Sequence, residues 1–82
     1  MTIISITMII EINRILSENQ ISLKVHLRDA CGKQSMWIED LSDDKKAVID
    51  ENSYELINQY FEQQHIKLEY SNDKLTFWVA KS

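Results

Sequence analysis

The period of the apolar positions changes along the chain, and the same change occurs in both halves. In each half, apolar residues at helical spacing are followed by residues that alternate between apolar and polar. The helical stripes are Ile9, Ile12, Ile15 and Leu16 in the first half, and Tyr54, Ile57, Tyr60 and Phe61 in the second. These stripes predict two helices, one ending near Asn19 and the other near Gln64. Ser5 or Thr7 is expected to cap the first helix, and Asp50 or Asn52 the second.

The alternating segments predict strands with one buried face. The apolar members are Ile21, Leu23, Val25 and Leu27 after the first helix, and Ile66, Leu68 and Tyr70 after the second. Returning strands are predicted over 34–40 and 75–81, with Asn72-Asp73 as a tight two-residue turn. The runs at 2–5 and 47–50 are interpreted as an opening strand in each half, with helix extension as the alternative.

An internal repeat relates the two halves. Ile12-Asn13-Arg14-Ile15-Leu16 aligns with Ile57-Asn58-Gln59-Tyr60-Phe61 at an offset of 45 residues, and Trp37 aligns with Trp78 at an offset of 41. We therefore predict one domain over 1–82, built from a duplicated β-α-β-β unit at about 2–40 and 46–81. Two such units bury their apolar faces as an α+β two-layer sandwich, in which an antiparallel sheet carries both helices on one face.

Alternation along the predicted strands places both tryptophans on the sheet face away from the helices. The predicted helix-facing residues are Leu23, Val25, Met36, Ile38, Leu68, Leu75, Phe77 and Val79. The predicted outward residues are Lys24, His26, Arg28, Ser35, Trp37, Glu39, Lys67, Glu69, Thr76 and Trp78. Because tryptophan is enriched at interface hot spots, this face is expected to bind a partner, most simply a second copy of the chain. Covering of the rings by neighbouring groups, or a bulge that turns one ring inward, is the alternative.

Charge and cysteine content limit the partners and the compartment. The net charge is −4, and carboxylates lie among the predicted outward residues, so we expect neither nucleic acid nor a membrane surface as a partner. The single cysteine excludes an internal disulfide and indicates the cytoplasm. The apolar run at 1–10 is about half of the roughly 20 residues that a membrane span needs.

The first hairpin is predicted to have an enlarged loop, because the residues from Leu27 to Gly32 replace Asn72-Asp73 of the second copy. The second copy closes without these extra residues, so the Arg28–Gly32 loop is expected to serve function. Gly32 is the only glycine, and a left-handed conformation is predicted there.

A family resemblance is carried by the same segment. Arg28-Asp29-Ala30-Cys31 resembles the motif that names the RDAC family of small uncharacterised bacterial proteins, and the flanking His26-Leu27 and Gly32 are also typical. The resemblance covers essentially the whole chain, with Lys33 as a departure where a small residue is expected. It implies no established activity.

Cys31 is the residue that could make this chain an enzyme. Arg28 and Lys33 could lower the pKa of its thiol, and His26 is a candidate base, although no group that would orient His26 is evident. Alternatively, Cys31 packs as a small hydrophobe, or its loop contacts a ligand without thiol chemistry. We expect no metal and no cofactor, because paired ligand spacings and a glycine-rich phosphate loop are absent from the sequence.

Two functions therefore compete at the level of sequence. The favoured one is a small non-catalytic binding or assembly module with a homo-oligomeric or protein partner. Its predicted binding residues are Arg28, Asp29, Cys31, Gly32, Trp37 and Trp78. The alternative is a thiol-dependent redox or transfer protein that uses Cys31 and His26. The residues favour the non-enzymatic interpretation without deciding it.

Overall fold

The fold pairs two helices with a four-stranded antiparallel sheet. The computed structural model describes residues 4–30, 33–42 and 50–80. The element order is α1 (Ile6–Glu18), β1 (Leu23–Ala30), β2 (Lys33–Asp40), α2 (Glu51–Gln63), β3 (Leu68–Tyr70) and β4 (Thr76–Val79). The strand order in the sheet is β1-β2-β4-β3, and every neighbouring pair is antiparallel. The predicted α+β class is confirmed.

Both helices begin with an equivalent cap. The Ser5 hydroxyl accepts a hydrogen bond from the Met8 backbone N–H at 3.2 Å, and the Asp50 carboxylate accepts one from the Ser53 N–H at 3.0 Å. Each cap is one of the two candidates that the sequence predicted for its helix. The bonds to Ser53 hold the pKa of the Asp50 carboxyl below its ordinary value.

Both helices also end in the same way. Gln20 and His65 follow the helices in left-handed conformation, with φ of 60° and 62°. The next residue in each half donates its N–H back into the last helical turn at 2.9 Å, from Ile21 to the Leu16 carbonyl and from Ile66 to the corresponding carbonyl of α2. This is the geometry of a Schellman cap.

The two halves thus share a helix–strand–strand order with matched caps 45 residues apart. The opening strand that was predicted for each half falls largely outside the described residues. Within them, Ile4, Ser5 and Asp50 belong to no strand. Duplication of a complete β-α-β-β unit stays a prediction.

The first hairpin differs from its prediction, because its extra residues lengthen the strands rather than the loop. β1 and β2 pair continuously from Leu23 opposite Asp40 to Ala30 opposite Lys33. Arg28 and Asp29 are therefore strand residues, and the predicted Arg28–Gly32 loop is wrong. The physical reason is that each further residue in register adds to the ladder between the strands. Cys31 and Gly32, which connect the strands, lie outside the described residues.

The second hairpin has the longer connection. β3 ends at Tyr70 and β4 begins at Thr76, so the two-residue turn predicted at Asn72-Asp73 is also wrong. The Asp73 carboxylate instead closes the connection, accepting from the Ser71 hydroxyl at 2.6 Å and from the Leu75 N–H at 3.0 Å. These bonds hold the pKa of Asp73 below its ordinary value, and the left-handed residue is Lys74, with φ of 60°.

The core lies between the helices and one face of the sheet. Both helices and three strands contribute to a single buried cluster that consists of Ile4, Ile12, Leu16, Leu23, Val25, Met36, Ile38, Ile57, Tyr60, Phe61, Ile66 and Phe77. Because α1 and α2 share one cluster with the same sheet face, the opposite face is left uncovered by helices. Leu75 was predicted to face the helices, but it precedes β4 and is 42% exposed.

Asn13 joins α1 to the outer edge of the sheet. Its amide donates to the Val25 carbonyl at 2.9 Å, and its carbonyl oxygen accepts from the Val25 N–H at 2.7 Å. β1 is an edge strand, so the Asn13 side chain satisfies backbone groups that a further strand would otherwise pair with. The repeat-related Asn58 accepts a hydrogen bond from the Tyr70 hydroxyl at 2.8 Å.

Two tyrosines of the core have raised pKa values. Burial, followed by the hydrogen bond from the Tyr60 hydroxyl to Glu11 at 2.8 Å, raises the pKa of Tyr60 to about 12. Burial, followed by the nearby Tyr54, raises the pKa of Tyr70 to about 12. Both rings are therefore more readily ionised in the unfolded chain than in the folded one.

We expect the free energy of unfolding to fall as the pH rises from about 10 to about 12. The folded chain holds the phenolic protons more tightly, so this stabilisation is complete below the unfolded pKa and is lost as the pH passes the folded pKa. The loss should approach roughly 2 kcal/mol for each ring. Urea unfolding across this pH range measures it, and Tyr60→Phe should flatten the slope. An unchanged slope in both Tyr60→Phe and Tyr70→Phe would contradict the assignment.

Candidate functional site

The sheet face without helices, here called the open face, carries both tryptophans, as alternation predicted. Trp37 is paired with His26 on β1 and with Thr76 on β4, while the flanking residues of β2 are buried in the core. The open face consists of Lys24, His26, Arg28, Lys33, Ser35, Trp37, Glu39, Lys67, Glu69, Thr76 and Trp78. Lys67 precedes β3, and its carbonyl accepts from the Ala80 N–H at 2.8 Å, which continues the ladder by one pair.

Trp37 is held in a defined orientation on this face. Its ring stacks on the His26 ring, with the centroids 4.2 Å apart and the planes 16° from parallel. The His26 Nε2 atom lies 2.8 Å from the Glu39 Oε1 atom, so the histidine is itself fixed. Trp37 nevertheless remains 41% exposed. His26 lies on β1, so the ring face of Trp37 that points away from His26 is on the β4 side, where Thr76 is the opposite residue.

Trp78 is held by a different contact. Its indole Nε1–H donates to the Glu69 Oε2 atom at 3.1 Å, and the two residues are paired between β3 and β4. Trp78 also lies two residues beyond Thr76 and is therefore a diagonal cross-strand neighbour of Trp37. Such neighbours are about 7–8 Å apart, which is within reach of aromatic side chains. The two indoles thus occupy adjacent places on the open face.

The open face has an excess of positive charge. It carries the cations Lys24, Arg28, Lys33 and Lys67 and the carboxylates Glu39 and Glu69. None of these four cations forms an ion pair within the described part of the chain, where Arg14 pairs with Glu18 and the His26 ring hydrogen-bonds to Glu39. Both carboxylates contact rings of the open face: Glu39 contacts a ring nitrogen of His26, and Glu69 accepts from the indole N–H of Trp78. The chain therefore has one basic surface, although its net charge is −4.

Of the residues predicted for the first hairpin, the structure places Arg28 and Asp29 on opposite faces of the sheet. Arg28 lies on the open face opposite Ser35, whereas Asp29 lies on the helix side opposite Gln34. Cys31 and Gly32 are outside the described residues. His26 is four residues before Ala30, about 13 Å along the strand, and it is bonded to Glu39. His26 therefore belongs to the open face and not to the hairpin end.

Sequence reasoning placed Glu39 and Glu69 on this face but missed their contacts, and it missed Lys33. Glu39 is the group that orients His26, Glu69 holds the Trp78 indole, and Lys33 joins the face because it begins β2. The register of the strands is the signal that identifies them. Pairing His26 with Trp37 places Glu39 diagonally beside His26, and this pairing follows once a two-residue connection is assumed.

Within residues 4–30, 33–42 and 50–80, no three metal-ligating side chains converge. Neither helix there is long and apolar enough to cross a membrane.

Comparison with family models, curated proteins and solved structures finds no match to this chain. Membership of the RDAC family stays a prediction from the Arg28–Cys31 motif. The function is therefore argued from the open face.

Proposed function

We propose that the chain is a non-catalytic binding module that engages its partner through the open face. The observation that carries the proposal is the state of Trp37, which is fixed by His26 and Glu39 and yet 41% exposed. A large ring that is already ordered loses little conformational entropy when a partner covers it. Tryptophan is also the side chain most often found at the centre of binding hot spots.

The neighbours of Trp37 support a contact surface. Thr76 lies on β4 directly opposite Trp37, and Ser35 lies two residues before Trp37 on β2. The Trp37 ring is therefore bordered by small polar side chains on the side away from His26. Trp78 adds a second indole on the adjacent strand. Trp37 and Trp78 together form an aromatic surface in which neighbouring side chains hold both rings, rather than an isolated exposed side chain.

The charge of the open face argues for an anionic partner. Two copies packed face to face would each present the four cations Lys24, Arg28, Lys33 and Lys67 against only two carboxylates, so two positively charged faces would meet. Like charges across an interface are unfavourable. The homodimer that the sequence suggested is therefore not part of the proposal.

Site-specific photocrosslinking in cells of the source organism tests the proposal. A benzophenone amino acid at Lys67, on the rim of the open face, should give a defined adduct, and the same probe at the helix-side Gln59 should not. Trp37→Leu should reduce the adduct strongly, because truncation of a central tryptophan costs about 2 kcal/mol, or about 30-fold in affinity. Equal adducts from both positions, or none from Lys67, would exclude binding by the open face.

A further inference from the structure

We infer that the partner of the open face is a single-stranded nucleic acid, an inference that rests on the proposed binding function and specifies its ligand. Two features of the described residues carry it. One is the arrangement of the four unpaired cations around Trp37 and Trp78, here called the aromatic pair. The other is the ring face of Trp37 that His26 does not cover.

The four cations border two sides of the aromatic pair. Lys24 and Arg28 lie four residues apart on β1, about 13 Å along the edge of the sheet. Lys33 and Lys67 lie at the same end of the sheet. Lys33 is the first residue of β2, and the carbonyl of Lys67, just before β3, accepts a hydrogen bond from the Ala80 N–H. A polyanion that follows this border would meet positive charge at intervals while its other groups lie over the indoles.

The aromatic pair offers a place for planar groups. His26 covers one face of the Trp37 ring at 4.2 Å, yet Trp37 stays 41% exposed, and its pairing partner on the side away from His26 is the small Thr76. Trp78 lies diagonally adjacent, so two successive bases could each contact an indole. Base–aromatic stacking contributes about 1–3 kcal/mol per base and does not depend on sequence, because every base has a π-face.

A single strand of nucleic acid matches both features together. A carboxylate-rich protein segment would satisfy the cations but would leave the open ring face without a planar group. Four of the thirteen acidic residues of the chain, Glu18, Glu51, Glu55 and Glu62, are exposed on the helices. The sequence predicted no nucleic-acid partner because the whole chain is acidic and because the predicted face had few cations and several carboxylates; the start of β2 adds Lys33 to those cations.

Binding is measured on the purified full chain by intrinsic tryptophan emission. The probes are short oligothymidylate and oligouridylate, an abasic strand of the same length, and an oligoglutamate peptide of the same charge. We expect both oligonucleotides to change the emission, with a ratio of their affinities that shows whether DNA or RNA is preferred. The abasic strand should bind about 5- to 150-fold more weakly, because it cannot stack.

Variants separate charge from stacking. With three or four phosphate contacts, the logarithm of the binding constant should fall with the logarithm of salt concentration with a slope of about −2 to −3. Arg28→Gln should make this slope shallower by about 0.7, whereas Arg14→Gln on α1 should leave it unchanged. Trp37→Leu should weaken binding about 5- to 150-fold and leave the slope unchanged.

The outcomes distinguish a nucleic-acid partner from the more general proposal that the open face binds a partner. Equal affinity for the abasic strand and oligothymidylate would overturn the inference, as would oligoglutamate binding at least as tightly as the oligonucleotides. An adduct at Lys67 that contains protein and no nucleic acid would overturn it while supporting the open face as a binding surface. Absence of any adduct from the probe at Lys67 would exclude both the nucleic-acid partner and binding by the open face.

Discussion

Replacement of Phe61 by alanine is expected to lower the free energy of unfolding by about 3 to 5 kcal/mol. Phe61 is fully buried, and its ring contacts Tyr60 and Phe77 with centroids 5.2 and 6.3 Å away. It therefore joins α2 to β4 in the middle of the core. A domain of 82 residues has a total stability of roughly 4 to 12 kcal/mol, so the variant should be close to unfolding at room temperature.

Urea unfolding followed by far-ultraviolet circular dichroism measures this loss. The matched control is Ile10→Ala on α1, which also shortens an apolar side chain but at a position that is 62% exposed. Its effect should lie within about 0.5 kcal/mol of zero. If Phe61→Ala and Ile10→Ala cost the same, the core described here is wrong.

Replacement of Asn13 by alanine is expected to cost about 2 kcal/mol. The change removes both hydrogen bonds to Val25 and leaves a backbone N–H and a backbone carbonyl at the edge of β1 without their partner. Amide hydrogen exchange at Val25 should accelerate by a larger factor than exchange elsewhere in β1. This local acceleration separates loss of the Asn13 contact from a general loss of stability.

Asn58→Ala is the matched control, because Asn58 occupies the equivalent position of the second half but bonds only to a side-chain hydroxyl. It should cost about 1 kcal/mol and leave exchange at Val25 unchanged. An Asn13→Ala cost near zero, or unchanged amide exchange at Val25 in that variant, would show that the contact to Val25 adds nothing to stability.

The helices could be predicted from sequence because the signals that define them are local. Ser5 and Asp50 lie next to the stripes that they cap, and each stripe ends near a residue that reverses the chain. The sheet class and the faces of Trp37 and Trp78 also follow from a local pattern, since alternation assigns a face without knowledge of the partner strand.

The hairpins could not be predicted in the same way. Arg28-Asp29 and Gly32 have the composition of a loop, but the gain from continuous pairing with β2 outweighs this preference. Asn72-Asp73 has the composition of a tight turn, but the Asp73 carboxylate bonds to residues on both sides and favours a wider one. The bonds of His26 to Glu39 and of Trp78 to Glu69 depend on register and could not be predicted, and the start of β2 at Lys33 adds a cation that the predicted face lacked.

The Asn13 side chain has a consequence for concentrated solutions of this protein. It occupies the outer edge of β1 only at Val25, and no side chain bonds to the outer backbone of Leu27 or Asp29 in the part of the chain that the structure describes. Foreign strands could therefore add to β1 only near its hairpin end, over a stretch too short to template a long fibril. A single amide thus shortens the part of this edge on which self-aggregation could begin.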